Sequence, residues 1–171
     1  MMGEKMEQAL NDQVNAEWYS ANLYMAMSAY FQAENLPGFA GWMYAQALEE
    51  LTHGMKIYNF INEAGGRAVI KGIDAPPAAW ESPEAAFRDA CAHEQKVTGL
   101  INSLVDLAVS QKEHAANTML QWFVEEQVEE EASVDAVLKK LERAGDGAGV
   151  LFMIDRELGS RVFNGGALAQ E

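Results

Sequence analysis

The chain has 171 residues, 49% of them hydrophobic, enough for one domain around one substantial core. Its 26 acidic residues against 12 basic ones, a net charge of −14, argue against a nucleic-acid or anionic-membrane surface and for attraction of cations or repulsion between free chains. A lone cysteine, Cys91, excludes a disulfide framework or a cysteine-rich metal site, and no run approaches the roughly 18 apolar residues of a membrane span. The N-terminal MMGEKMEQALND is charged and lacks an apolar leader core, so the expected compartment is the cytoplasm.

The only prolines, Pro37, Pro76, Pro77 and Pro83, lie between helix-period segments or at their starts. They leave four long helices, at about 4 to 34, 38 to 64, 83 to 111 and 114 to 143. Ser82 followed by Pro83 reads as an N-cap with proline at the first helical position, and Gly145 and Gly147 end the fourth helix. Only the short VIKGI resembles a strand.

Short connections make the first and second helices, and the third and fourth, antiparallel hairpins. The second and third are joined differently. A helix of 27 residues is about 40 Å long, while the 18 residues 65–82 can span up to roughly 60 Å. That connection can run the length of the bundle and leave the second and third helices parallel. After the fourth helix, GVLFMIDRELGSRVF reads as a short amphipathic fifth helix at about 147 to 162, which either docks on its own bundle or contacts a neighbouring subunit. The fold class expected for residues 1–171 is a single all-α domain: a four-helix bundle over about 4–143, with one long crossover and a short fifth helix.

Each long helix carries an apolar stripe at spacings of three or four, the pattern of a bundle seam. The first stripe is Met6, Leu10, Val14, Glu17, Ala21, Tyr24, Ser28 and Phe31. The second includes Phe39, Met43, Glu50, His53, Ile57 and Phe60; the third Phe87, Cys91, Glu94, Thr98, Ile101 and Val105; the fourth Leu120, Phe123, Gln127, Glu130 and Val134. One carboxylate interrupts each stripe near mid-helix. Mid-helix positions meet at one level whatever the helix directions, so Glu17, Glu50, His53, Glu94, Gln127 and Glu130 are expected to form a single polar centre.

The fourth interruption falls in FVEEQVEEEASV, where five glutamates occupy the seven positions 125–131 and Phe123, Val124, Val128 and Val134 mark one side as buried. Burying an unpaired carboxylate costs several kcal/mol, against a total domain stability of about 5–15 kcal/mol. The usual partners are missing: no Lys or Arg occurs between Lys5 and Lys56, nor between Lys112 and Lys139. The acids are therefore protonated, or cations from solution sit among them. Four carboxylates balance two divalent ions. Glu50 and His53, at i and i+3, offer an oxygen and an imidazole nitrogen on one face, a ligand set suited to iron or manganese. Oxygen ligands favour Fe(III), so such a di-metal centre promotes oxidation of Fe(II).

The stretches NDQVNAEWYSANLYMAMSAYF, EELTHGMKIYNFINEAGG, HEQKVTGLI and LQWFVEEQVEEE, over nearly the whole chain, resemble the bacterial and archaeal non-haem ferritins of the ferritin-like di-iron family. The resemblance implies a ferroxidase that binds two Fe(II), oxidises them with O2 or H2O2 and passes Fe(III) to mineral inside a homo-oligomeric shell of twenty-four subunits. It implies that Glu17, Glu50 and His53 hold the first iron. Glu50, Glu94 and Glu130 would hold the second, with Gln127 beside it as a hydrogen-bonding group or weak ligand. Tyr24 matches a tyrosine beside the centre, as an electron donor or as a core aromatic. Glu49, Glu126 and Glu129 match a third iron site of prokaryotic members, and an acidic solvated face is the alternative. Trp122 matches a position near the centre and also suits packing. Glu125 and Glu131 read as surface charge, and His93 and His114 as surface residues.

The departures from the symmetric di-iron pattern carry information. The fourth helix has Gln127-x-x-Glu130 where di-iron enzymes and bacterioferritins have Glu-x-x-His, which weakens the second site and suits release of product. Bacterioferritins bind haem through a methionine that Leu51 replaces here, so no haem is expected. A rubrerythrin-type peroxidase would need paired Cys-x-x-Cys, and Cys91 stands alone. A non-catalytic metal-binding bundle is the remaining alternative.

Overall fold

The computed structural model describes residues 2–145 and 147–165, with Ala148 by its backbone only. Residues 1, 146 and 166–171, which the single-domain reading covers, lie outside the described residues. Five helices follow in order: α1 (Glu4–Ala33), α2 (Pro37–Glu63), α3 (Pro83–Gln111), α4 (His114–Ala144) and α5 (Ala148–Leu158). No strand occurs among the described residues, and VIKGI is irregular.

Local chemistry sets the turns. Asn35 takes the left-handed conformation, φ 57°, that reverses the chain between α1 and α2, and Pro37 starts α2 with its fixed φ. Ser82 caps α3 as expected, its Oγ accepting from the Ala85 amide at 3.0 Å. Beside the first turn, Phe31 of α1 stacks on Phe39 of α2 at 5.0 Å between ring centroids. At the opposite end of α1, Asn11 holds the chain just beyond α2, donating to the Arg67 carbonyl at 3.1 Å and accepting from the Val69 amide at 2.6 Å. The two helices are therefore antiparallel. The crossover then travels back along α1 until Trp80 packs on Tyr30 at 5.5 Å and donates to Asp89 at 2.9 Å. It spans the bundle and leaves α2 and α3 parallel.

The apolar core falls into two parts. One is built around Phe31, Phe39, Met43, Phe87 and Leu141, the other around Leu10, Ile57, Ile101, Leu120 and Phe123. Between them lies the polar layer.

Within the stripes, some positions differ from those expected. Ile61 is buried where Phe60 was expected, and Ala90, Val97 and Leu104 are buried where Cys91, Thr98 and Val105 are half-buried. Spacings of three and four both approximate the 3.6-residue turn, so adjacent apolar residues compete for one seam position. Val128, expected on the buried side, is 69% exposed, because Gln127 and Glu130 already take the seam there.

Helix α5 ends at Leu158, short of the expected 162, and docks on its own bundle through Ile154 and Leu158. Its Asp155 does what Leu36, the residue preceding α2, cannot: one carboxylate oxygen accepts from the amides of Gly38 at 2.8 Å and Phe39 at 3.0 Å. The approach requires glycine at 38, where a Cβ would lie 1.6 Å from the Asp155 carbonyl oxygen. Val150, Phe152, Met153 and Val162 remain exposed.

Asp155→Ala is expected to destabilise the fold by about 1–2 kcal/mol, the usual cost of a lost cap. Hydrogen exchange at Gly38 and Phe39 should accelerate while exchange around Ile57 stays unchanged.

Candidate metal centre

The four bundle helices bring the expected polar residues to one level. Glu17 comes from α1, Glu50 and His53 from α2, Glu94 from α3, and Gln127 and Glu130 from α4, each between 1% and 4% exposed. One ligand atom from each of Glu17, Glu50 and His53 lies within 4.8 Å of the others, and His53 Nδ1 is 3.5 Å from Glu50 Oε2. A second group of the same tightness unites His53, Glu126 and Glu130. Glu94 stands in the same layer but is held by hydrogen bonds. Its Oε1 accepts from the fully buried Tyr24 hydroxyl, and its Oε2 accepts from Gln127 Nε2 at 3.2 Å.

Burial dominates the protonation of this layer. It raises Glu17 from 4.5 to about 8, aided by the neighbouring Glu50 charge. Glu50 and Glu130 are pushed well above the ordinary carboxyl range, first by burial and then by their acidic neighbours, and Glu94 is raised by burial too. The Tyr24 hydroxyl is held well above its usual range by burial and by Glu94. None of the described Lys or Arg residues pairs with Glu17, Glu50, Glu94 or Glu130.

Neutral donors take part of the cations' place, and stripe reasoning overlooked two of them. Gln13 donates to Glu17 Oε1 at 2.8 Å; Gln46 donates to Glu50 Oε1 at 3.1 Å and to Glu130 Oε2 at 2.6 Å. The sequence does carry a signal for both: each glutamine precedes its glutamate by four residues, one helical turn. The buried Glu17 Oε2 still has no hydrogen-bond partner. A buried carboxyl oxygen beside an imidazole and a second carboxylate offers its lone pairs to a hard cation once its proton leaves. The donor set therefore fits iron.

The edge of the layer is more varied than an acidic face. Glu126 is half-buried, its carboxyl raised by burial, with Oε1 4.0 Å from His53 Nε2. Glu129 is exposed, and Glu49 forms an ion pair with Arg161. The three residues matched to a third iron site thus differ in setting, and only Glu126 joins a ligand group. Trp122 meets His53 edge-on at 5.5 Å, with Lys56 Nζ 4.9 Å from the centre of its own ring.

Two residues expected at the surface are not simply there. Glu131 is partly buried and accepts from Thr98 Oγ1 at 2.5 Å, and Thr98 in turn accepts from Gln127 at 3.2 Å. His93 is partly buried, its Nε2 lying 2.7 Å from Ser20 Oγ, and burial with the nearby Lys96 lowers it to about 4. Single-residue reading misses both because their partners lie on other helices.

The Ferritin-like domain family matches residues 7–144. The bacterial non-heme ferritin of Bacteroides fragilis is 43% identical over 161 residues, covering 94% of this chain and all of that protein. That of Staphylococcus aureus strain MRSA252 is 40% identical over 164 residues, 96% of this chain and 99% of the relative. Among solved structures, an open pore ferritin from the archaeon Archaeoglobus fulgidus superposes with a TM-score of 0.94 at 45% identity, covering 95% of this chain and all of that one. An engineered closed form of the same archaeal ferritin gives 0.95 at 46% identity, covering 96% and 100%.

The metal-free protein is expected to lose stability as pH rises. Between 4.5 and about 8 the folded chain keeps the Glu17 proton that the unfolded chain releases, so the folded state binds more protons throughout that window. The Glu17 contribution is greatest below the ordinary carboxyl range and is lost towards pH 8, while His93, lowered from 6.5 to about 4, opposes it below 6.5, so the net decline is steepest between 6.5 and about 8. Calorimetry should show the melting temperature falling by several degrees across the interval, and Glu17→Gln should flatten the slope.

Proposed function

Because the chain belongs to the ferritin family and is an iron-storage protein, we propose that its polar layer is a ferroxidase centre that takes two Fe(II) ions as substrate within one subunit. The supporting observation is the set of buried carboxylates gathered around His53, with which none of the described lysines or arginines pairs. Glu17, Glu50 and His53 hold one Fe(II), and Glu50 bridges to the other. Glu130 and Glu94 serve the second ion, with Glu126 as a further oxygen donor on the His53 side.

Two Fe(II) give up two electrons, which reduce O2 to H2O2 or H2O2 to two water molecules, and either reduction takes up two protons. Carboxyl groups that arrive protonated surrender protons as Fe(II) displaces them, so the site supplies protons where they are consumed. Burial keeps water scarce around the ions and strengthens the pull of oxygen ligands on Fe(III). Gln127, a neutral amide where a stronger ligand could stand, leaves the second ion more loosely held and so releasable. Tyr24 positions Glu94 through its hydroxyl and stands close enough to donate an electron. The product is stored as ferric mineral enclosed by twenty-four copies of the chain, in the cytoplasm.

Native mass measurement is expected to give about 450 kDa, twenty-four chains of 18.8 kDa. Aerobic Fe(II) should be oxidised far faster with the protein than in buffer, and Glu50→Ala should slow it by at least about tenfold, equivalent to roughly 1.4 kcal/mol of barrier. Undiminished oxidation by the double variant Glu17→Ala, Glu50→Ala would assign the reaction elsewhere.

A further inference from the structure

Glu49, matched by resemblance to a third iron site, does not present a free carboxylate. Arg161, three residues beyond the end of α5, reaches across to α2, where its guanidinium pairs with Glu49 Oε2 and lies over the Trp42 ring at 4.3 Å from the centroid. Both side chains of the pair are only 21% exposed, so the contact is partly withdrawn from water and resists screening by salt. Glu129 is exposed, and Glu126 is drawn to His53 and Glu130. The acids matched to that third position therefore do not converge on an ion, and one of them already has its cation.

We propose that Arg161 is the resident cation at this position, and that a divalent metal binds beside Glu49 only by displacing it. The guanidinium spreads its charge over a planar fork that satisfies a carboxylate and stacks on an indole, contacts that a metal ion cannot both replace. The latch is also incomplete. Arg161 Nη1 is buried without an acceptor, which weakens the bound position and keeps release within reach of a competing ion. Asp155 anchors the other end of the strap by capping α2, so displacement of Arg161 frees only the short segment after Leu158. Occupancy beside Glu49 is thereby tied to the conformation of the C-terminal strap.

The inference rests on the di-iron reading of the centre, and one titration separates the two. Metal-free, full-length protein of verified native mass is titrated anaerobically with Zn(II), which does no redox chemistry, and binding is followed by calorimetry. The parent should take two ions per chain tightly and a third weakly. Arg161→Met, which keeps an apolar stem on Trp42 but removes the charge, should bind the third at least about tenfold more tightly. Adding Glu49→Gln to that variant should abolish the gain. Arg161→Lys, which keeps the charge without the fork, should fall between parent and Arg161→Met and serves if the methionine variant fails to assemble. Equal third-ion affinity in the parent and in every Arg161 variant that assembles overturns the proposal, whereas loss of the two tight ions from all of them overturns the di-iron reading instead.

Discussion

Four carboxylates in the middle of a hydrophobic bundle, with no lysine or arginine to meet them, are the constraint around which the rest of the chain is arranged. Left ionised and unpaired they would each cost several kcal/mol, comparable together with the whole stability of a domain. The chain answers with protons and neutral donors. Burial raises Glu17 to about 8, and Gln13, Gln46, Tyr24 and Gln127 donate into the layer without adding positive charge. A lysine in any of these places would neutralise an acid permanently. An amide satisfies one lone pair and leaves the charge available to an incoming ion. The same layer divides the apolar core in two, so the aromatic packing of Phe31, Phe39 and Phe87 at one end and the Ile57, Ile101 and Phe123 packing at the other sustain the fold on either side of it.

The C-terminal segment is joined to this arrangement at two points on α2. Asp155 supplies the N-cap that Leu36 lacks, and Arg161 lies on Glu49 and Trp42. Glu49 precedes by one residue Glu50, which forms one ligand group with Glu17 and His53. The strap therefore touches the helix that carries the centre at its beginning and near its middle. With Val150, Phe152 and Met153 exposed on its outer side, α5 also presents apolar surface that the single subunit does not cover.

Much of this was legible in the sequence, because the dominant signal is periodic. Prolines and a Ser-Pro cap mark helix starts, the stripes mark the seam, and a carboxylate at mid-seam on all four helices identifies the centre without knowledge of side-chain contacts. What periodicity could not decide was the choice between neighbours such as Val97 and Thr98, where both lie within a third of a turn of the seam. Contacts fixed by tertiary approach were also invisible. Nothing near Pro37 announces that its helix is capped by a residue 117 positions from Gly38, and nothing near Glu49 announces Arg161. His93 and Glu131 were read as surface from their place on one helix, and Ser20 and Thr98 on neighbouring helices changed that. Gln13 and Gln46 lie one helical turn before a glutamate of the centre, but an uncharged amide at that spacing does not by itself distinguish a buried donor from a surface residue.

The buried carboxyls hold protons that divalent metal is expected to replace. Proton release on anaerobic Zn(II) binding, measured by calorimetry in buffers of different ionisation enthalpy, tests it most directly. Net release is expected to accompany the two tight ions at pH 7, to be larger at pH 6, and to be reduced in Glu17→Gln. Tight binding of two ions with no proton released at either pH would contradict it, because the carboxylates would then have been ionised before metal arrived.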